Sequence, residues 1–133
     1  MERRPGGGWP EKVDRMLKAY ADEARTYLPA YYHVYGLKSV DTIRKALERG
    51  HMVCVTWGTD YSHYSGQTIA HMVNAVYLDD QWGAIVDNNF PNEVLWVRRP
   101  TFENYMAWTG RRGNDGLWAI VFTDNPMPMV KGD

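Results

Sequence analysis

Thiols are nearly absent from these 133 residues: Cys54 stands alone. A single cysteine excludes an internal disulfide and any cysteine-rich zinc centre. Charge of either sign is also without a surplus. Fifteen Lys and Arg against sixteen Asp and Glu leave a net charge of −1, with both signs mixed along the chain, which argues against a phosphate-driven nucleic-acid partner. The Arg98-Arg99 and Arg111-Arg112 pairs flank a predicted helix, and a solvated face explains them more cheaply than an anion site. No apolar run approaches a bilayer span, so no membrane partner is expected, and no charged-then-apolar segment opens the chain. Without an export signal, the expected location is the cytoplasm or one that these residues do not specify. Glutamine is scarce as well, present only as Gln67 and Gln81, and no internal repeat or low-complexity tract occurs.

Aromatic residues, by contrast, are plentiful. Six Trp and nine Tyr supply a packed core and argue against disorder. At this length the chain makes one domain, able to bury about two thirds of its unfolded surface. Residues 1–8 (MERRPGGG) read as a flexible lead-in, residues 9–125 as the domain, and residues 126–133 as a tail that Pro126 and Pro128 lead off.

Taken in order, Trp9-Pro10-Glu11 starts a helix, with proline suited to the first turn and Glu11 and Asp14 favourable there. Val13, Met16, Leu17, Tyr20 and Ala24 recur at helical spacing, and the helix ends before Pro29. Tyr31 to Tyr35 is a short aromatic strand closed by Gly36, its tyrosines read as packing residues. Ser39 caps a second helix with Val40, Ile43, Ala46 and Leu47 on one face and Gly50 as its stop. The apolar strand from His51 to Trp57 follows with almost no loop. Gly58 to Thr68 is a polar loop, Val94 to Val97 a short strand, Pro100 to Thr109 a third helix, and Leu117 to Thr123 the last strand. The pattern predicts an α+β fold, an antiparallel sheet with helices packed against it.

The chemistry concentrates between His71 and Asp87. Two β-rich runs, one starting at His71 and the other ending at Asp87, fold back across Asp79-Asp80, a turn-forming pair, and Asn88 to Glu93 is a turn-rich link. That hairpin sets His71 opposite Asp87 at one end. A histidine oriented by a carboxylate is the base half of a nucleophilic triad, although a half-buried structural pair has the same spacing. The other half is harder to find. Cys54 lies mid-strand between Val53 and Val55, where a thiol behaves as a small hydrophobe with a raised pKa. Ser62 and Ser65 precede His71 without the strained elbow or helix start that a serine nucleophile needs. His51, His63 and His71 match no metal spacing, so neither a metal nor a cofactor is expected.

A helix ending Leu47-Glu48-Arg49-Gly50, a strand, a loop, Ala70-His71-Met72-Val73-Asn74, a tight turn and a strand ending Val86-Asp87-Asn88-Asn89 resemble the second part of a papain-like cysteine peptidase domain. The bacterial C39-like branch is the most similar, and the likeness spans roughly residues 37 to 123. The resemblance implies that His71 is the general base and that Asp87 orients it, with Asn88 as the alternative because papain uses an amide there. It also implies a nucleophilic cysteine at the start of a helix preceding the sheet, with an upstream glutamine in the oxyanion hole. No cysteine precedes Cys54, and Gly7-Gly8-Trp9-Pro10 offers neither thiol nor hydroxyl. Either the nucleophile helix lies upstream of Met1, the reading favoured here, or residues 10–25 are a relic of it.

Three function classes follow. One is amide-bond hydrolysis by a cysteine peptidase of which this is a fragment. The second is an inactive homologue that binds a peptide or protein segment on the same fold. The third is an assembly domain without a groove. Loss of the nucleophile helix would leave apolar surface beside His71, which predicts self-association or a docked partner segment there.

Overall fold

The computed structural model describes residues 10–36, 40–58, 71–107 and 118–123. Among them the order is α1 (Pro10–Ala24), β1 (Tyr31–Tyr35), α2 (Val40–Glu48), β2 (Met52–Thr56), β3 (Met72–Leu78), β4 (Trp82–Val86), β5 (Leu95–Arg98), α3 (Arg99–Ala107) and β6 (Trp118–Phe122). The six strands form one sheet in the order β1-β6-β2-β3-β4-β5, with every neighbouring pair antiparallel. The α+β class expected from the sequence is therefore the class observed.

Period-2 alternation divides the side chains between two faces. Val53, Val55, Val73, Ala75, Ile85, Ala119 and Val121 lie in the main core with Val40, Ile43 and Ala46 of α2 and Phe102 and Met106 of α3. A smaller cluster of Trp118, Ile120 and Phe122 receives Val13 and Leu17 from α1 and adjoins Tyr31, Cys54 and Met72. The helix-to-strand connection after α2 is as short as the sequence predicts. Gly50, at φ +81°, sits past the helix end while His51 N–H donates to Ala46 C=O and Gly50 N–H to Leu47 C=O, both at 3.0 Å. These are the two bonds of a Schellman stop, which needs a left-handed residue that glycine supplies without strain.

Two expectations are corrected. In α1 the buried residues are Pro10 and Ala21, so the inward stripe runs 10, 13, 17, 21, and Tyr20 and Ala24 face outward. Both stripes have helical spacing, and the one nearest the sheet wins. Tyr31 is also more than packing. Its hydroxyl donates to Asp14 Oδ1 at 2.7 Å, the same oxygen lies 2.8 Å from His33 Nε2, and Trp118 Nε1–H donates to His33 Nδ1 at 2.8 Å. An indole N–H is a donor only, so His33 accepts at Nδ1 and carries its proton on Nε2, donating to Asp14. This relay ties α1 to β1 and β6.

Candidate functional site

The β3–β4 hairpin is built by its turn. Asp79 Oδ1 accepts from the N–H groups of Gln81 and Trp82, both at 2.7 Å, and Asp79 N–H donates to Trp82 C=O at 2.9 Å. An aspartate capping its own turn fixes the register without glycine. One irregularity separates Ala75 from Tyr77 in the pairing, leaving Val76 as the extra residue of a bulge. Below it, Ala75 pairs with Ile85 and Asn74 with Val86, so the strand ends carrying His71 and Asp87 arrive together.

His71 Nε2 lies 2.9 Å from Asp87 Oδ1, with side-chain exposures of 22% and 4%. The carboxylate is thus buried while the imidazole keeps an edge toward solvent. The local sequence explains why Asp87 is fixed. Asp87 C=O accepts from Phe90 N–H at 3.0 Å, closing a turn, and its Oδ1 accepts from Asn89 N–H at 3.0 Å. The Asp-Asn-Asn-Phe stretch is therefore an Asx-type turn whose first side chain is held by its own backbone and by His71. His71 is anchored in turn, its C=O accepting from Trp57 N–H at 2.8 Å. An ionised carboxylate only accepts, so in this bond His71 donates from Nε2 to Asp87 Oδ1.

Asn88, one residue on, is exposed and lines a small pocket with His71, Met72, Val73, Asn74, Val86 and Cys54. In this structure the bond to His71 Nε2 comes from Asp87. Cys54 faces its cross-strand partner Asn74, donating from Sγ to Asn74 Oδ1 at 3.0 Å. Burial pushes its thiol up to about 11, so Cys54 is held as the thiol and not as the nucleophilic thiolate.

Ser39, Ser62, Ser65, His63, Gln67, Arg111 and Arg112 lie outside the described residues. Among the described residues no group of three His, Cys, Asp or Glu side chains is placed to hold a metal ion, and no helix is long and apolar enough to cross a membrane. Exposed apolar side chains do occur on the β3–β5 part of the molecule, where Val76, Tyr77, Trp82, Val94 and Trp96 are each more than a third exposed. Sequence reasoning missed Asn74 as a polar member of the site. The signal was available, since an asparagine interrupts an otherwise apolar strand at Met72-Val73-Asn74-Ala75. No family model, curated protein or solved structure matches the chain.

Proposed function

We propose that His71 and Asp87 are the base half of an amide-hydrolysing site of the papain-like, C39-like kind, and that its nucleophilic thiol comes from a segment outside these residues. The observation that carries the reading is the 2.9 Å bond from His71 Nε2 to a carboxylate that is itself buried and backbone-clamped. Such a bond fixes the ring plane and the tautomer, and it stabilises the imidazolium formed when Nδ1 takes a proton. That His71 lines a pocket supports the reading, because a side chain bound there would lie beside the ring.

A second reading has its own support. Cys54, the only thiol in the sequence, is bonded to Asn74 and held protonated. The 133 residues alone then bind a peptide segment without cleaving it, and His71 with Asp87 shapes one end of the binding surface.

The test compares the chain alone with the chain joined to its native upstream sequence, using a generic fluorogenic peptide. The first reading expects no turnover by the chain alone. It expects turnover by the extended chain that is lost in His71→Ala and falls at least tenfold in Asp87→Ala. Turnover by the extended chain that is indifferent to His71→Ala would refute it. An inactive extended chain that still binds peptide would establish the second.

A further inference from the structure

The pocket beside His71 has a volume of about 280 Å³, below the roughly 300–1,000 Å³ of sites that take whole small molecules. It has room for one amino-acid side chain. Among the described residues its wall is Cys54, His71, Met72, Val73, Asn74, Val86 and Asn88, with no Lys, Arg, Asp or Glu. A charged side chain entering it would lose water without gaining a counter-ion of its own, because His71 is already paired with Asp87.

Beside the His71 ring and the Cys54 thiol, the polar side chains of the wall are two amides. Asn74 Oδ1 accepts the Cys54 S–H at 3.0 Å, which commits the carbonyl side of that amide to the sulfur. Its NH2 group is left to present N–H donors to the cavity. Asn88, exposed on the neighbouring turn, adds a second amide with its own carbonyl. With the Asn88 carbonyl turned to the cavity, the two amides would form a donor–acceptor edge of the kind a carboxamide pairs with. Met72 and Val86, both half-buried, give apolar walls for a short methylene stem.

We infer that this pocket is a specificity subsite for an uncharged carboxamide side chain, glutamine or asparagine, of a bound peptide. The inference rests on the reading of the His71 end as a peptide site and names what that site selects. A leucine or methionine of similar size fits the space but covers the Asn74 N–H groups without a partner, and a desolvated donor with no acceptor is penalised. Cys54 acts here as a positioning residue, keeping the Asn74 amide turned so that its N–H groups face the ligand.

The experiment is an NMR titration of the 133-residue chain with four blocked peptides that differ at one position, carrying Gln, Leu, Glu or Lys. The Gln peptide is expected to shift Asn74, Val86 and Asn88 and to bind about tenfold more tightly than the other three, the worth of one to two hydrogen bonds. Asn74→Leu, at an exposed position that tolerates substitution, should erase that advantage while Leu-peptide binding holds or improves. Cys54→Ala frees the amide to turn and should cut the Gln preference several-fold. A Leu peptide that binds as tightly as the Gln peptide, or a Gln preference that survives Asn74→Leu, overturns the subsite. Peptides that shift His71 with no Gln preference would end the subsite alone. Absence of any shift at His71 or the pocket with all four would end the subsite and the peptide-site reading together.

Discussion

Gly83→Ala adds one methyl group where the core has no room for it. A Cβ on Gly83 would stand 2.7 Å from Phe102 Cγ and 2.9 Å from Cε2, and nearer still to Cδ2. Gly83 is not among the residues with positive φ, so alanine fits the backbone and the whole cost is steric. The ring cannot retreat cheaply. Phe102 is fully buried and meets Trp57, also fully buried, edge-on at 5.4 Å between centroids. Overpacking of this kind costs about 1–3 kcal/mol and occasionally more, and three ring atoms in contact put it at the upper end. Stiffening of the unfolded chain returns roughly 0.4–1 kcal/mol. The net expectation is a loss of about 2 kcal/mol, equivalent to a fall in Tm of about 6–10 °C for a domain of this size. Urea unfolding and thermal melts followed by circular dichroism measure it. Phe102→Ala removes all three clashing atoms, so the double variant should be at least about 1 kcal/mol more stable than the sum of the single losses. A Gly83→Ala protein within about 0.5 kcal/mol of the parent, or strictly additive losses, would refute the packing of α3 on β4 described above.

Three further outcomes are expected. Thr56 Oγ1 donates to Met106 C=O at 2.9 Å and accepts from Trp118 N–H at 3.1 Å, tying β2 to α3 and β6. Thr56→Val should therefore cost about 2–4 kcal/mol in urea unfolding and Thr56→Ser under about 1.5, because only valine strands both backbone groups; equal losses would contradict the bridging role. With its thiol pushed up to about 11, Cys54 should react with iodoacetamide at pH 8 roughly a hundredfold more slowly than an ordinary thiol of pKa about 8.5, and rapid alkylation of the folded chain would show that the strand does not bury it. Hydrogen bonds from Tyr31 and then His33 hold the Asp14 carboxyl below its usual value. Its stabilising contribution is therefore complete above the unfolded value of about 4 and fades as pH falls through the lower folded value. Asp14→Asn should make the loss of stability below about pH 4 shallower, and an unchanged acid slope would contradict the relay.

The sequence by itself determined the elements and the hairpin. Gly50 after Leu47 and Glu48, the Asp79-Asp80 turn, and the apolar runs from Met52 and Trp118 are local signals, and each element follows from residues within a few positions of it. The opposition of His71 and Asp87 was legible for the same reason, since a tight turn between two β-rich runs brings their far ends together. The sequence could also place Cys54 in a strand between Val53 and Val55, but those valines face the opposite side, and the half-burial of the thiol comes from the cluster of Trp118, Ile120 and Phe122 on its own face. Only the tertiary structure decided which residues meet across long separations. The bonds from Asp14 to His33 and from Trp118 to His33 span 19 and 85 positions. They depend on β6 inserting between β1 and β2, an order that no local pattern encodes. The same insertion sets which stripe of α1 faces inward. It was cross-strand pairing of β2 with β3 that placed Asn74 against Cys54, because a side chain's partner in a sheet is set by register with another strand, while its own neighbours in sequence set only the face it can occupy.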